Sequence, residues 1–307
     1  MKPKISFCCI SYNHEKFIQD TLDGFASQDL PYDYEIVICD DNSTDQTATI
    51  ISNNRGKFKN FHFKKNDINL GPVKNFVQAL EMCEGEYIAL CEGDDFWTDP
   101  FKIQKQVDFL ETHPEYVGVH HAVKVIREST NQSEIWTEAK ETISIFDLTL
   151  RNRIMTVSCM FRNRVEGFPT WISNLPVGDY PLNVFNAQFG LFKLLPGVMA
   201  TYRVHDGGIY ESKPEHRKLR MMIDTVNGMI GNFDEPINIK LAEQQVSYLN
   251  IYREKFGLED FNYLPKAFGY LLDENKGLKH KTLVIGSIKG FLVLKWENLQ
   301  RKLSLSK

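Results

Sequence analysis

The stretch YIALCEGDDFWTDP, Tyr87 to Pro100, runs from an apolar segment straight into three acids, Glu92, Asp94 and Asp95, with Phe96 and Trp97 directly behind them. Tyr87 to Cys91 reads as a short buried strand. Adjacent carboxylates at the end of such a strand repel one another and lose hydration. A hard cation such as Mg²⁺ or Mn²⁺ would offset both costs. Such ions take oxygen ligands and often use only one or two carboxylates, with phosphates and water completing the shell. The plainer reading is a solvated acidic turn capping the next helix, a role for which Asp99, before Pro100, already stands ready.

The pattern of strand followed by acid recurs upstream. Ile5–Ser11 is an apolar strand followed by Tyr12 and Asn13, and Glu35–Cys39 is a second, followed by Asp40, Asp41 and Asn42. Between them Phe17, Ile18, Leu22 and Phe25 fall at helical spacing within residues 14–27. Asn42, Ser43, Thr44 and Asp45 offer N-caps for a helix through Ile51. Phe61–Lys64 is a weaker third strand. Pro72–Cys83 reads as a helix with Val73, Phe76, Val77 and Leu80 on one face, and Phe101–Thr112 as another. Strands alternating with helices predict βαβ units and a parallel sheet covered on both faces. Ligands of such sheets bind beyond the carboxyl ends of the strands, so the acid-bearing turns share one functional edge. No GxGxxG follows a strand and no GxxxxGK[ST] occurs, so the glycine-amide phosphate cradles are absent.

From Tyr116 the pattern is more mixed: strand-like 117–126, polar 128–133, strand-like 155–161, a helix from Gly178 to Phe189 and a strand near Phe192–Leu195. Beyond Pro214 the periodicity is helical over 215–229, 236–256, 261–272 and 282–303. The 307 residues are 42% hydrophobic and 25% charged, enough for a sizeable core. A net charge of −4 argues against a general nucleic-acid binder. Six cysteines without a CxxC pair read as buried free thiols in a reducing compartment. With no apolar h-region at the start and no long apolar span, the chain is expected to be cytoplasmic.

The runs ISFCCISYNHEKFIQDTLDGFASQ, YEIVICDDNSTDQT and INLGPVKNFVQALEMCEGEYIALCEGDDFW together resemble the inverting family 2 glycosyltransferases of bacterial type. The likeness is close over about residues 4–113 and looser through Gly178–Leu182 and Tyr202–Gly208. It implies the GT-A fold: α/β, a mostly parallel central sheet flanked by helices, here with a C-terminal helical extension. The expected organisation is a catalytic domain over 1–214, with a nucleotide-binding half 1–113 and an acceptor half 114–214. A helical region fills 215–307. The activity implied is metal-dependent, inverting transfer of a sugar from a nucleotide sugar, typically a UDP-sugar, to a hydroxyl acceptor in bacterial surface polysaccharide or lipid-linked glycan synthesis.

By the same resemblance, Asp41 answers to the acid that contacts the nucleotide base, with Asp40 a turn acid. Lys74 falls where an arginine often stands, keeping the charge but losing the planar fork. Ser11 and Asn13 join the nucleotide-sugar set. Asp94 is assigned to the ribose and Asp95 to Mn²⁺ or Mg²⁺, while Glu92 departs from the usual aspartate and has no assigned role. His205 contacts the diphosphate or completes the metal shell, and Arg203 offsets diphosphate charge. Asp179 is the catalytic base, taking a hydroxyl proton on the acceptor side; Asp147 and Asp206 are its rivals. Trp171, in the turn before it, is the acceptor-site candidate, with the aromatics Trp97 and Tyr210 weaker ones. Adjacent His120 and His121 point to opposite faces of a strand and read as structural.

Residues 276–307 hold eight Lys and Arg against Glu297, a net +7, leaving −11 on residues 1–275. Apolar residues and Trp296 run among those lysines. Two readings stand for 282–303: a helix lying on the inner face of an anionic membrane, suited to a lipid-linked saccharide acceptor, or a helix packed on the domain. Two other functions are open to the same residues: a catalytically silent sugar- or partner-binding module on the same fold, and a nucleotidyltransferase. The second calls for a glycine-rich basic loop after the first strand, which this sequence does not have.

Overall fold

The computed structural model describes residues 2–164, 167–210, 212–257 and 265–268. Four strands, β1 (Ile5–Ser11), β2 (Tyr34–Asp40), β3 (Phe61–Lys65) and β4 (Tyr87–Leu90), lie parallel in the order β3-β2-β1-β4. β1, β2 and β4 are almost wholly buried, as unbroken apolar runs such as FCCI and IVIC require when both faces of a sheet are covered. The intervening helices are α1 (Ile18–Ala26), α2 (Thr47–Asn54) and α3 (Pro72–Glu81). α1 buries Ile18, Leu22 and Phe25 on one face, and α3 buries Val73, Phe76, Val77 and Leu80.

The second half of the sheet is mixed. After β5 (Phe96–Trp97) and α4 (Lys102–Thr112) come the long β6 (Tyr116–Arg127), then β7 (Gln132–Trp136), β8 (Thr142–Ile143) and a one-turn α5 (Ile145–Leu148). β9 (Met160–Arg162) inserts antiparallel between β4 and β6, so parallel pairing is broken there. α6 (Asp179–Asn186) leads to β10 (Leu191–Val204), which runs parallel to β6 and antiparallel to β5. The pairing that matters for the site is Ala200 with Trp97 and Thr201 with Phe96. It carries the end of β10 onto the acid turn, joining residues more than a hundred positions apart.

Trp97 is 2% exposed, its Nε1 donates to the Val157 carbonyl at 3.2 Å, and its ring meets Phe7, Phe25 and the Lys102 ammonium. It therefore packs beneath the acid turn. All six cysteines are free and buried. The chain divides into two compact units, Met1–Ser212 and Lys213–Lys307. In the second, α7 (Glu215–Met229) and α8 (Glu235–Phe256) pack together, with the buried Gln245 amide donating to the Ile223 carbonyl. Of the expected helix at 261–272 only residues 265–268 are described, with 266–268 helical; the helix expected at 282–303, and with it the basic tail, lies outside the described residues. Among the described residues no helix is long and apolar enough to cross a membrane.

Candidate active site

The edge beyond β1, β2 and β4 is built by backbone turns that the sequence specifies locally. Asn13 (φ 56°) and Asn42 (φ 61°) both take the left-handed conformation that asparagine tolerates better than most residues. The Asn13 carboxamide oxygen accepts from the Thr44 N–H at 2.9 Å, and the Ser43 hydroxyl accepts from the Asn13 N–H at 2.9 Å, which locks the two turns together. Asp40 accepts from the Ser43 N–H and hydroxyl and from the Ser11 hydroxyl, so Asp40 and Ser11 tie the floor of the edge. Asp41 is buried and accepts from the Leu70 and Gly71 N–H groups at 2.8 and 2.9 Å and from Asn66. It fixes the loop that opens α3. Asn75 bridges the same loop to the Cys39 carbonyl, while Lys74 is exposed on the first turn of α3.

Asp94 lies at the centre of the edge. Its Oδ2 is 3.1 Å from Nε2 of His205 and 3.6 Å from Nε2 of His14. Burial works to raise the Asp94 carboxyl, but the two imidazoles outweigh it and hold it below the usual range. Asp95 is fully buried behind it, one oxygen accepting from the Arg203 N–H at 2.8 Å. Burial, with Asp94 and Glu92 nearby, pushes Asp95 well up. Glu92 is pushed up to about 8 by burial and by the charges of Asp94 and Asp179. Two donor groups share Asp94: His14 with Asp94 and His205, and Glu92 with Asp94 and Asp95, each with ligating atoms within 4.8 Å of one another. Asp94 Oδ1, Asp95 Oδ2 and His14 Nδ1 are buried without a hydrogen-bond partner. Buried carboxylate oxygens without partners, on residues whose ligating atoms lie this close together, fit a divalent cation.

Arg203 is placed differently from its expected post on the diphosphate. Its guanidinium donates to the Asp94 carbonyl at 2.9 Å and to Asp20, lies 3.4 Å from Glu128, and rests on Phe96. With a side chain only 8% exposed, it clamps the acid turn to α1 from below. Asp179 opens α6, half-buried, with Oδ2 accepting from Asn152 at 2.9 Å. Burial pushes its carboxyl up against the opposing pull of the Tyr180 N–H and Asn152. Trp171 sits in the turn Thr170–Asn174, which packs on α3. Asp147 is committed to capping α5 and to Lys140, and Asp206 is exposed. His120 and His121 are fully buried on β6 and belong to neither donor group.

His14, Asn152 and the Arg203 partners Asp20 and Glu128 were not foreseen. His14 stands three residues past the end of β1, so the strand-end rule reaches it, but its neighbours read as the start of a helix. Nothing in the sequence connects Asn152 to Asp179, 27 positions away.

Residues 6–168 match the family model described as Glycosyl transferase family 2. An uncharacterized protein of Mycobacterium tuberculosis is 37% identical over 243 residues, 73% of this chain and 69% of its own. The chain belongs to glycosyl transferase family 2. This glycosyltransferase also shares its fold with solved structures of low identity. Staphylococcus aureus TarS in complex with UDP-GlcNAc superposes with a TM-score of 0.62 at 19% identity, covering 95% of this chain and 81% of that one. The mannosyltransferase PcManGT of Pyrobaculum calidifontis, in complex with GDP-Man and Mn²⁺, gives 0.59 at 15% identity, covering 97% and 88%. The GT-A fold expected from the motifs is thereby established.

Proposed function

We propose that this glycosyltransferase is metal-dependent and inverting. It moves a sugar from a nucleotide sugar, a UDP-sugar, to a hydroxyl of a saccharide or lipid-linked saccharide in bacterial surface polysaccharide or lipid-linked glycan synthesis. The observation that carries the reading is Asp94, shared by two donor groups and flanked by the unpartnered Asp95 Oδ2, with Asp179 near enough to act electrostatically on the intervening Glu92. The solved relatives titled as nucleotide-sugar complexes, one of them with Mn²⁺, support it.

Asp94 and His205 would hold the cation, with Asp95 Oδ2 in reach; this moves Asp94 from ribose to metal, because His205 meets Asp94 and not Asp95. A bound divalent cation would offset the charge of the departing nucleoside diphosphate, so no proton donor is needed on that side. Ser11, Asn13, Asp41 and Lys74 form the nucleotide side, the first three by fixing the turns and Lys74 by offering an exposed cation. Asp179 takes the proton of the acceptor hydroxyl as that oxygen attacks the anomeric carbon, and a single displacement inverts the configuration. Its raised affinity for a proton makes it a stronger base than an exposed carboxylate. Asn152 holds one oxygen in place, and Trp171 offers an aromatic face to the acceptor sugar.

The test is nucleotide release from a panel of UDP- and GDP-sugars with Mn²⁺ or Mg²⁺. Asp94→Ala and Asp179→Asn are each expected to cut turnover about 100-fold or more. If no nucleoside diphosphate binds in the presence of either metal, the enzyme reading fails and the binding-module reading takes its place.

A further inference from the structure

The geometry points to His14 as a second imidazole ligand of the cation at Asp94, an inference that rests on the metal-dependent reading above. Nε2 of His14 and Nε2 of His205 converge from different elements on the same oxygen, Asp94 Oδ2. The two rings are nearly perpendicular, 83° apart with centroids at 6.2 Å, so each presents a nitrogen edge to the space beside Asp94. The 3.6 Å from His14 to Asp94 is too long for a hydrogen bond, and His14 Nδ1 has no partner. No satisfied polar contact within the fold accounts for the orientation of this ring.

Two backbone features nevertheless hold it there. Asn13 takes a left-handed φ that turns the chain back over the edge after β1. Gly93 lets the ring lie against the acid turn, since a Cβ at that position would come within 2.9 Å of His14 Nδ1. A transition-metal ion binds imidazole nitrogen at about 2.1 Å. The donor atoms of His14, Asp94 and His205, all within 4.8 Å of one another, need only a small side-chain rotation to close on it. Two imidazole nitrogens beside a carboxylate disfavour Mg²⁺ and Ca²⁺, which prefer oxygen throughout, relative to first-row transition metals, among which Mn²⁺ is the hardest. The enzyme is therefore selective for a first-row transition metal, and His14 is the residue that makes it so.

Mn²⁺ titration of the full chain, with and without UDP, would be followed by the loss of the free-ion EPR signal, with Mg²⁺ as competitor. Pulsed EPR then reads the number of directly bound imidazole nitrogens. The wild type is expected to show two and to prefer Mn²⁺ strongly over Mg²⁺. His14→Ala and His14→Gln are expected to show one nitrogen, an Mn²⁺ affinity about tenfold or more weaker, and a narrowed preference. Should the alanine variant misfold by circular dichroism, the glutamine variant decides. Unchanged nitrogen count and affinity in the folded variants overturn the His14 assignment and leave the metal-dependent reading standing. A wild type that binds no Mn²⁺ under either condition sinks both.

Discussion

Burial pushes the Asp179 carboxyl above its ordinary range, while the Tyr180 N–H and the side chains of Asn152 and Thr156 hold it down. The bond from Asn152 Nδ2, 2.9 Å long, stabilises only the charged carboxylate. Removing that donor in Asn152→Ala favours the protonated acid, so the folded pKa rises further. A general base must be deprotonated, and the acid limb of the kcat/KM profile reports that pKa in the free enzyme. The limb is therefore expected to move to higher pH in the variant, with a larger activity deficit at pH 6 than at pH 8. A deficit of equal size at both pH values would show that Asn152 supports the loop without tuning the base. The place of Asp179 at the head of a helix was legible, while its role as base comes from the family resemblance and is a proposal. Asn152 was not, because a side chain-to-side chain bond across a loop leaves no periodic trace.

Helix α1 approaches β5 so closely that a Cβ on Gly24 would stand 3.0 Å from both the N and O of Trp97. Those are backbone atoms in a paired strand and cannot swing aside. Gly24→Ala is expected to push β5, and the acid turn before it, away from α1. A cost of about 1–3 kcal/mol in urea unfolding should accompany weakened metal binding. A variant of wild-type stability and Mn²⁺ affinity would refute the coupling. At this scale β1 and α7 were read to the residue, since an apolar run and a clean 3.6 period each have one solution. Ends were less legible: Asp99 was expected to cap a helix from Phe101, but the helix begins at Lys102, with Asp99 accepting from the Phe101 N–H. β5 and most of β10 went unread. A two-residue strand has no period, and the pattern of β10 is interrupted by Pro196 and the left-handed Gly197. The mixed pairing of the second half is a long-range property that alternation of strands and helices cannot specify.

For the whole molecule, the acid edge is a stability cost that ligand binding should reverse. Glu92, Asp95 and Asp179 all hold their protons more tightly in the folded chain than an exposed carboxyl would. The folded state thus binds more protons than the unfolded state between the ordinary carboxylate range and, for Glu92, about 8. Stability must fall as pH rises through that window, and the penalty is absent below it and complete above it. Asp94, with its pKa depressed by the histidines, works in the opposite sense and cancels part of the trend. Glu92→Gln removes one of the raised acids without removing bulk. It is expected to stabilise the ligand-free protein at pH 8 by on the order of 2 kcal/mol, a Tm rise of roughly 4–8 °C. At pH 5, near the unfolded pKa of glutamate, most of that gain should vanish. Mn²⁺ with UDP should raise the wild-type Tm most at pH 8, where the uncompensated charge is greatest, flattening the pH dependence. A ligand-free Tm that rises from pH 5 to 8 to the same extent in wild type and Glu92→Gln would mean these carboxylates are hydrated and carry no such cost.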